Sequence, residues 1–156
     1  MKNNEKTIEV LNDLIKINND RIEGYENAAE NIDPSEVMLK TLFYQIAEES
    51  QDFKSALASR ALALGGEPAS DSTIPGKIYR AWMDVKATFS GDDKKATLES
   101  CEFGEDAAQR AYKEALAASE DLPADIVQTI EEQRNLLKMS HDLIRNQRDE
   151  YKAVTK

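Results

Sequence analysis

Apolar residues recur at alternating spacings of three and four along four long stretches of the chain. The first stretch carries Ile8, Leu11, Ile15, Ile22 and Tyr25 in this rhythm, which places them along one face of an α-helix. Only 6 Gly and 4 Pro occur, and most of them lie between the stretches, where they favour helix ends and turns. The pattern predicts helices over residues 5–31, 34–64, 77–89, 92–119 and 123–153, of which the third is short.

Local signals mark both ends of the second helix. Asp33-Pro34-Ser35-Glu36 offers an N-cap, a proline at the first helical position and a glutamate placed for a capping box. Gly65-Gly66 follows the last apolar position, and glycine readily adopts the left-handed conformation that ends a helix. We therefore expect a tight hairpin between the first two helices and a long connection after the second.

The long connection determines the predicted topology. Residues 67–76 are polar, and Ile78, Trp82, Val85 and Phe89 then form a short amphipathic stripe that either covers one flank of the bundle or makes an oligomer contact. Two helical hairpins joined by a connection of about 25 residues fit a four-helix bundle with one long crossover, the ferritin-like arrangement. No strand pattern occurs, so residues 1–156 are predicted to form a single all-α domain with a short extra helix in the crossover.

The two hairpins share a weak internal repeat. An offset of 87 residues matches Asn18 with Glu105 and Tyr25 with Tyr112, while an offset of 84 matches the second helix with the fourth. The difference of three residues fits a shorter loop in the second hairpin. The spacing suggests that the two halves arose by duplication.

The chain resembles the rubrerythrin-type members of the ferritin-like superfamily. The likeness rests on the order hairpin, crossover, hairpin and on the segment Phe43-Tyr44-Gln45-Ile46-Ala47-Glu48-Glu49-Ser50-Gln51-Asp52-Phe53. In this alignment the family's two Glu-x-x-His motifs fall on Ser50 and Phe53 and on Arg134 and Leu137, and its two remaining carboxylates fall on Asn18 and Glu105. Only Glu105 is retained, so the resemblance implies the fold without the di-iron ligands. No catalytic residue, cofactor or metal ligand is expected from it.

The sequence is also similar to a family of uncharacterised bacterial four-helix-bundle proteins, a domain of unknown function among ferritin-like folds. The segments that carry this resemblance are Ile22-Glu23-Gly24-Tyr25, Gly65-Gly66-Glu67-Pro68, Ala81-Trp82 and Gly104-Glu105-Asp106-Ala107-Ala108. The likeness covers nearly the whole chain. It implies a fold and no activity.

A buried polar layer is predicted where the metal ligands would stand. Asn18, Ser50, Glu105 and Arg134 lie at similar depth on four inward stripes, and a buried ion is tolerable only when it is paired and hydrogen-bonded. We hypothesise that the Arg134 guanidinium pairs with Glu105 and fixes the helix register in place of a metal. The alternative is a rotation of the fourth helix by one position, with Gln133 facing inward and Arg134 at the rim.

Charge and cysteine content narrow the function classes. The chain has 20 Lys plus Arg against 30 Asp plus Glu, a formal charge of −10 that disfavours nucleic acid and anionic membranes as partners. The single Cys101 cannot form an internal disulfide, and MKNNEKTIEV lacks the apolar run of a signal peptide. These features favour a cytoplasmic protein.

Three functions are compatible with the sequence. The favoured one is a non-enzymatic helical module, accessory or stress-associated, that acts by binding or by forming homo-oligomers. The alternative is a divergent iron-binding protein or oxidase with a carboxylate-rich site, drawn from Glu49, Glu102, Glu105, Glu132 and His141. The third is a binder of small molecules. His141 is the only histidine, and its match to the apolar Leu57 in the repeat favours a packed residue with one hydrogen bond over a metal ligand.

Overall fold

Four long helices make up most of the described part of the protein. The computed structural model describes residues 4–70 and 94–154. Its helices are α1 (Asn4–Asn31), α2 (Val37–Ala63), α3 (Lys94–Ala117) and α4 (Ala124–Val154), with a 3-10 turn at Ser119–Asp121. No strand occurs in these two ranges, and the predicted all-α four-helix fold is confirmed. The predicted helix 77–89, with its Trp82 stripe, lies outside the described residues.

The start of α2 differs from the prediction. Asp33 Oδ1 accepts hydrogen bonds from the Ser35 amide at 2.9 Å and from the Ser35 hydroxyl at 2.8 Å, so Asp33 closes a turn and does not cap the helix. The same bonds lower the pKa of the Asp33 carboxyl. The helix itself begins at Val37, after Glu36, which makes no side-chain capping bond. The predicted capping box is therefore absent, and Pro34 lies within the turn.

The end of α2 follows the sequence signal. Gly65 has φ +84°, and the Gly66 and Gly65 amides donate to the carbonyls of Ala61 at 2.9 Å and Leu62 at 3.0 Å. This pair of bonds is a Schellman motif. Next in the chain, Gly66 lies so close to α1 that an added Cβ would stand 2.7 Å from the Ile8 side chain. The end of α2 therefore favours glycine at both positions. Gly65 adopts a positive φ, and Gly66 has no room for a Cβ atom beside Ile8.

The helices pack as two antiparallel hairpins. Contacts are most extensive between α1 and α2 and between α3 and α4, followed by α1 against α3. The buried apolar side chains form two clusters, one around Leu11, Leu57 and Tyr112 and the other around Tyr25, Phe43 and Leu98. The clusters occupy opposite halves of the bundle. Between them lie buried polar side chains of α1, α2 and α3, among them Asn18, Arg21, Ser50 and Glu105.

Most apolar side chains of the helices face these two clusters, while several large ones, such as Leu136, Met139 and Leu143, are exposed. In residues 4–70 and 94–154, no helix combines the length and the hydropathy required to cross a bilayer.

Candidate functional site

A charged cluster lies at the centre of the bundle, where the two apolar clusters meet. Its main members are Arg21 on α1 and Glu105 on α3, whose side chains are 2% and 0% exposed. The Arg21 Nε and Nη2 atoms lie 3.0 Å and 2.9 Å from the same carboxylate oxygen, Glu105 Oε2. Because desolvating an ion costs several kcal/mol, each of these charges depends on the other to remain in the core.

The guanidinium also contacts α2. Its Nη1 atom donates to the Ser50 hydroxyl at 2.7 Å and lies 3.1 Å from Glu49 Oε1. Glu49 is 24% exposed, and its Oε1 atom accepts a further hydrogen bond from Ser140 on α4 at 3.0 Å. Arg21 thus bridges two carboxylates, and the resulting network links all four helices.

Burial and neighbouring charges shift the pKa values of three groups in this centre, namely Arg21, Tyr25 and Cys101. Burial by itself lowers the pKa of Arg21, but Glu105, with Tyr25 and Glu49, more than offsets this and raises it, so the guanidinium stays charged. The Tyr25 hydroxyl donates to Glu105 Oε2 at 2.5 Å, and burial together with that carboxylate raises the pKa of Tyr25 well above its usual value. The same two causes raise the pKa of the buried Cys101 thiol, which makes it a poor nucleophile.

A second, neutral network lies beside the charged one. Asn18 Nδ2 donates to the Leu14 carbonyl at 2.8 Å and to the Tyr112 hydroxyl at 2.9 Å. The Tyr112 hydroxyl donates in turn to Gln133 Oε1 at 2.6 Å, and Gln133 Nε2 donates to the Phe53 carbonyl at 3.2 Å. This chain of bonds also joins all four helices.

The two networks are related by the internal repeat. An offset of 87 exchanges Asn18 with Glu105 and Tyr25 with Tyr112. The bond between Tyr25 and Glu105 is therefore the counterpart of the bond between Tyr112 and Asn18. The repeat seen in the sequence thus corresponds to a pair of equivalent contacts across the interface of α1 with α3.

The four residues of the predicted polar layer do not all meet. Asn18, Ser50 and Glu105 are buried, at 1%, 0% and 0% exposure, whereas Arg134 is exposed on α4. Placing Arg134 in the core was wrong, and the alternative rotation, with Gln133 inward at 5% exposure, is the one observed. The physical reason is that Arg21 already neutralises Glu105, while the Gln133 amide accepts a hydrogen bond from the Tyr112 hydroxyl and donates one to the Phe53 carbonyl.

Sequence reasoning identified the need for a guanidinium but missed Arg21. The signal was present, since Arg21 follows Asn18 by three residues and precedes Tyr25 by four, which puts all three on one helix face. The neighbouring Ile22 also fits the stripe and is apolar. Since charged residues are usually exposed, Ile22 was assigned to the inner face of the helix and Arg21 was not.

The five residues of the alternative metal site are separated into three groups. Glu49 and Glu105 contact Arg21, and Glu132 is exposed, 3.3 Å from the Gln128 amide that donates to it. Glu102 and His141 do lie together, and Asp106 joins them. His141 is buried as expected, but carboxylates of Asp106 and Asp142 lie near its two ring nitrogens, at 2.7 Å and 3.5 Å.

A metal ion at the core site would have to compete with the Arg21 guanidinium. The guanidinium occupies the point from which both carboxylates, Glu105 and Glu49, are reached, and its positive charge repels a metal ion from that point. Two buried acceptor atoms, Glu105 Oε1 and Asn18 Oδ1, have no hydrogen-bond partner among the described residues.

Comparison with known proteins agrees with this architecture. The structure is similar to that of a mutant of Dps1 from Mycobacterium smegmatis, with a TM-score of 0.76, 16% sequence identity, and coverage of 93% of this chain and 96% of that one. At this identity the likeness shows the fold alone, which is ferritin-like. A search of curated proteins finds no significant match.

The family is assigned by its sequence model. Residues 6–118 match the model of a domain of unknown function, DUF2383. The match spans well over half of the chain, and the protein therefore belongs to this family.

Proposed function

We propose that this member of a family of unknown function is a non-enzymatic ferritin-like module in which an internal ion pair takes the place of a di-iron centre. The observation that carries the proposal is the position of Arg21, whose guanidinium reaches Glu105 on one side and Glu49 on the other, at 2.9 Å and 3.1 Å. A fixed cation of the chain itself performs the neutralising role that a metal would have between these carboxylates.

The chemistry of the layer supports a structural role. A di-iron centre needs several ionised carboxylates and histidines directed at one point. Here the Ser50 hydroxyl accepts a hydrogen bond from Arg21, and the Asn18 amide donates one to the Tyr112 hydroxyl. The Tyr25 hydroxyl keeps its proton because its pKa is raised. None of these groups supplies a base or an open coordination position. The layer instead joins four helices in one register, a use that is well established for buried polar groups.

The module is proposed to act by association, with copies of itself as the first candidates. Three large apolar side chains of α4 remain exposed at spacings of three and four, namely Leu136 at 45%, Met139 at 63% and Leu143 at 49%. This stripe is adjacent to the core face of α4, and apolar surface of this kind favours contact with another helix. The formal charge of −10 makes nucleic acid an unsuitable partner.

The rate of ferrous-iron oxidation tests the non-enzymatic assignment. The protein is mixed anaerobically with ferrous iron, then exposed to oxygen, and the rate of iron oxidation is compared with that in buffer alone. We expect no difference in rate between the wild type and Glu105→Gln. Saturable oxidation that depends on protein concentration, and that is lost in Glu105→Gln, would overturn the proposal.

Sedimentation velocity tests the association. We expect an oligomer for the wild-type chain and a shift toward monomer when Met139→Lys interrupts the exposed stripe, while Arg134→Lys on the same helix leaves the distribution unchanged. A wild-type monomer at all concentrations would contradict homo-oligomerisation and leave the core assignment intact.

A further inference from the structure

Three side chains that commonly bind metals in proteins, Glu102, Asp106 and His141, lie close together at the edge of the bundle. They are separate from the core ion pair. Glu102 and Asp106 project from adjacent turns of α3, because residues four apart share a helix face, and His141 faces them from α4. One ligand atom from each lies within 4.8 Å of the other two. The arrangement draws a nitrogen and two oxygens from different helices toward one point.

His141 is held in the orientation that a metal ligand requires. The residue is 6% exposed, and its Nε2 atom is directed at Asp106 Oδ1, 2.7 Å away. On the other side of the ring, Nδ1 lies 3.5 Å from Asp142 Oδ1. A carboxylate beside the second nitrogen is the arrangement that orients metal-bound histidines and increases their basicity.

We propose that Glu102, Asp106 and His141 bind one divalent transition-metal ion, with Asp142 as the partner of the second His141 nitrogen. One imidazole and two carboxylates suit zinc, ferrous iron, cobalt or manganese better than calcium or magnesium, which prefer oxygen ligands alone. Three protein ligands leave coordination positions for water. This site is independent of the proposed function, because it shares no side chain with the Arg21 network.

Arg148 pairs with one of the three proposed ligands, Glu102. Its Nη1 atom donates a hydrogen bond to Glu102 Oε1, and its Nη2 atom lies 3.1 Å from Asp149 Oδ1. The Arg148 side chain is 23% exposed, so it can turn toward solvent and Asp149 when a metal takes Glu102. A cation of the chain and an external cation thus compete for one carboxylate.

Calorimetric titration with zinc chloride tests the proposal in the full-length chain. We expect one zinc per chain for the wild type, at least tenfold weaker binding in His141→Gln and in Asp106→Asn, and tighter binding in Arg148→Gln. Asp106 is exposed, at 53%, so its variant reports on binding without disturbing the core. Glu132→Gln removes one exposed charge elsewhere on α4 and is the matched control, expected to bind as the wild type does.

Two outcomes would contradict the proposed metal site. Equal affinity in the wild type, His141→Gln and Asp106→Asn would show that zinc binds elsewhere. Displacement of zinc by an equal concentration of magnesium, together with weakening in Glu132→Gln, would show general attraction to an acidic surface. Far-ultraviolet circular dichroism of each variant confirms that the chain is folded before it is titrated.

Discussion

Arg21 and Glu105 form an ion pair in the interior of the bundle, with two guanidinium nitrogens within 3.0 Å of one carboxylate oxygen. Such a pair is costly to desolvate and difficult to break, because removal of either partner leaves the other charge buried alone. The consequences of this relationship can be measured separately.

The first prediction concerns the stability of the pair. Arg21→Met should lower the free energy of unfolding by about 3–5 kcal/mol, since it leaves the buried Glu105 carboxylate without its main counter-charge. Glu105→Gln added to Arg21→Met removes that charge, so the double variant should be more stable than Arg21→Met alone. Urea unfolding of the wild type, both single variants and the double variant measures the coupling. Additive effects would show that the two side chains do not depend on each other.

The second prediction tests the rotation of α4. Gln133 is buried and bonded to Tyr112 and to the Phe53 carbonyl, so Gln133→Ala should cost about 1–3 kcal/mol by leaving buried partners unsatisfied. Arg134→Ala, one residue later and exposed, should change stability by no more than about 0.5 kcal/mol. The same thermal or urea unfolding assay compares the two. A larger loss in Arg134→Ala would restore the rotation first expected from the sequence.

The third prediction concerns alkaline pH. Burial raises the pKa of both Tyr25 and Tyr112, so each hydroxyl keeps its proton in the folded state after the unfolded chain has begun to lose it near pH 10. The unfolded state then binds fewer protons than the folded state, and stability must fall as the pH rises through and above that value. Unfolding free energies measured across this range in the wild type and in Tyr112→Phe should show a shallower fall in the variant.

Tyr44 provides the control for this series. Its side chain is 43% exposed, and Tyr44→Phe should leave the alkaline slope as it is in the wild type. An equally shallow slope in Tyr44→Phe and Tyr112→Phe would contradict the assignment of the effect to the buried hydroxyl.

The fourth prediction concerns the close approach of α1 to the end of α2. Gly66→Ala would place a Cβ atom 2.7 Å from the Ile8 side chain, so one of the two must move, at a cost of about 1–3 kcal/mol. Ile8→Ala removes the atoms in contact, and adding Gly66→Ala to it should then cost much less. Equal penalties in the two backgrounds, measured by urea unfolding, would show that the contact does not limit Gly66.

The sequence was sufficient for the fold because each helix repeats its apolar stripe over several turns. Single positions within a stripe are less certain, as α4 shows: between Ile130 and Leu137 either Gln133 or Arg134 completes the spacing. The choice depends on partners from other helices, here Tyr112 and the Phe53 carbonyl. Periodicity contains no information about them.

The candidate sites were predicted less completely for the same reason. Asn18, Ser50 and Glu105 were singled out because they lie on the inward stripes where the resemblance places metal ligands. Arg21 was missed because its stabilisation comes from Glu105, 84 residues later in the chain. Asp106 was missed because an exposed aspartate becomes a candidate ligand only when another helix places His141 beside it.

The most direct test of the central claim is the metal content of the His141→Gln variant after anaerobic reconstitution with ferrous iron and removal of loosely bound metal. This variant lacks the proposed peripheral site but retains the core unchanged, so any tightly bound iron must lie elsewhere. If Arg21 occupies the place of the di-iron centre, elemental analysis should find far less than one iron per chain, because the buried guanidinium already neutralises the core carboxylates. Two irons per chain would contradict the account, since a di-iron centre and the Arg21 guanidinium cannot occupy the same carboxylates.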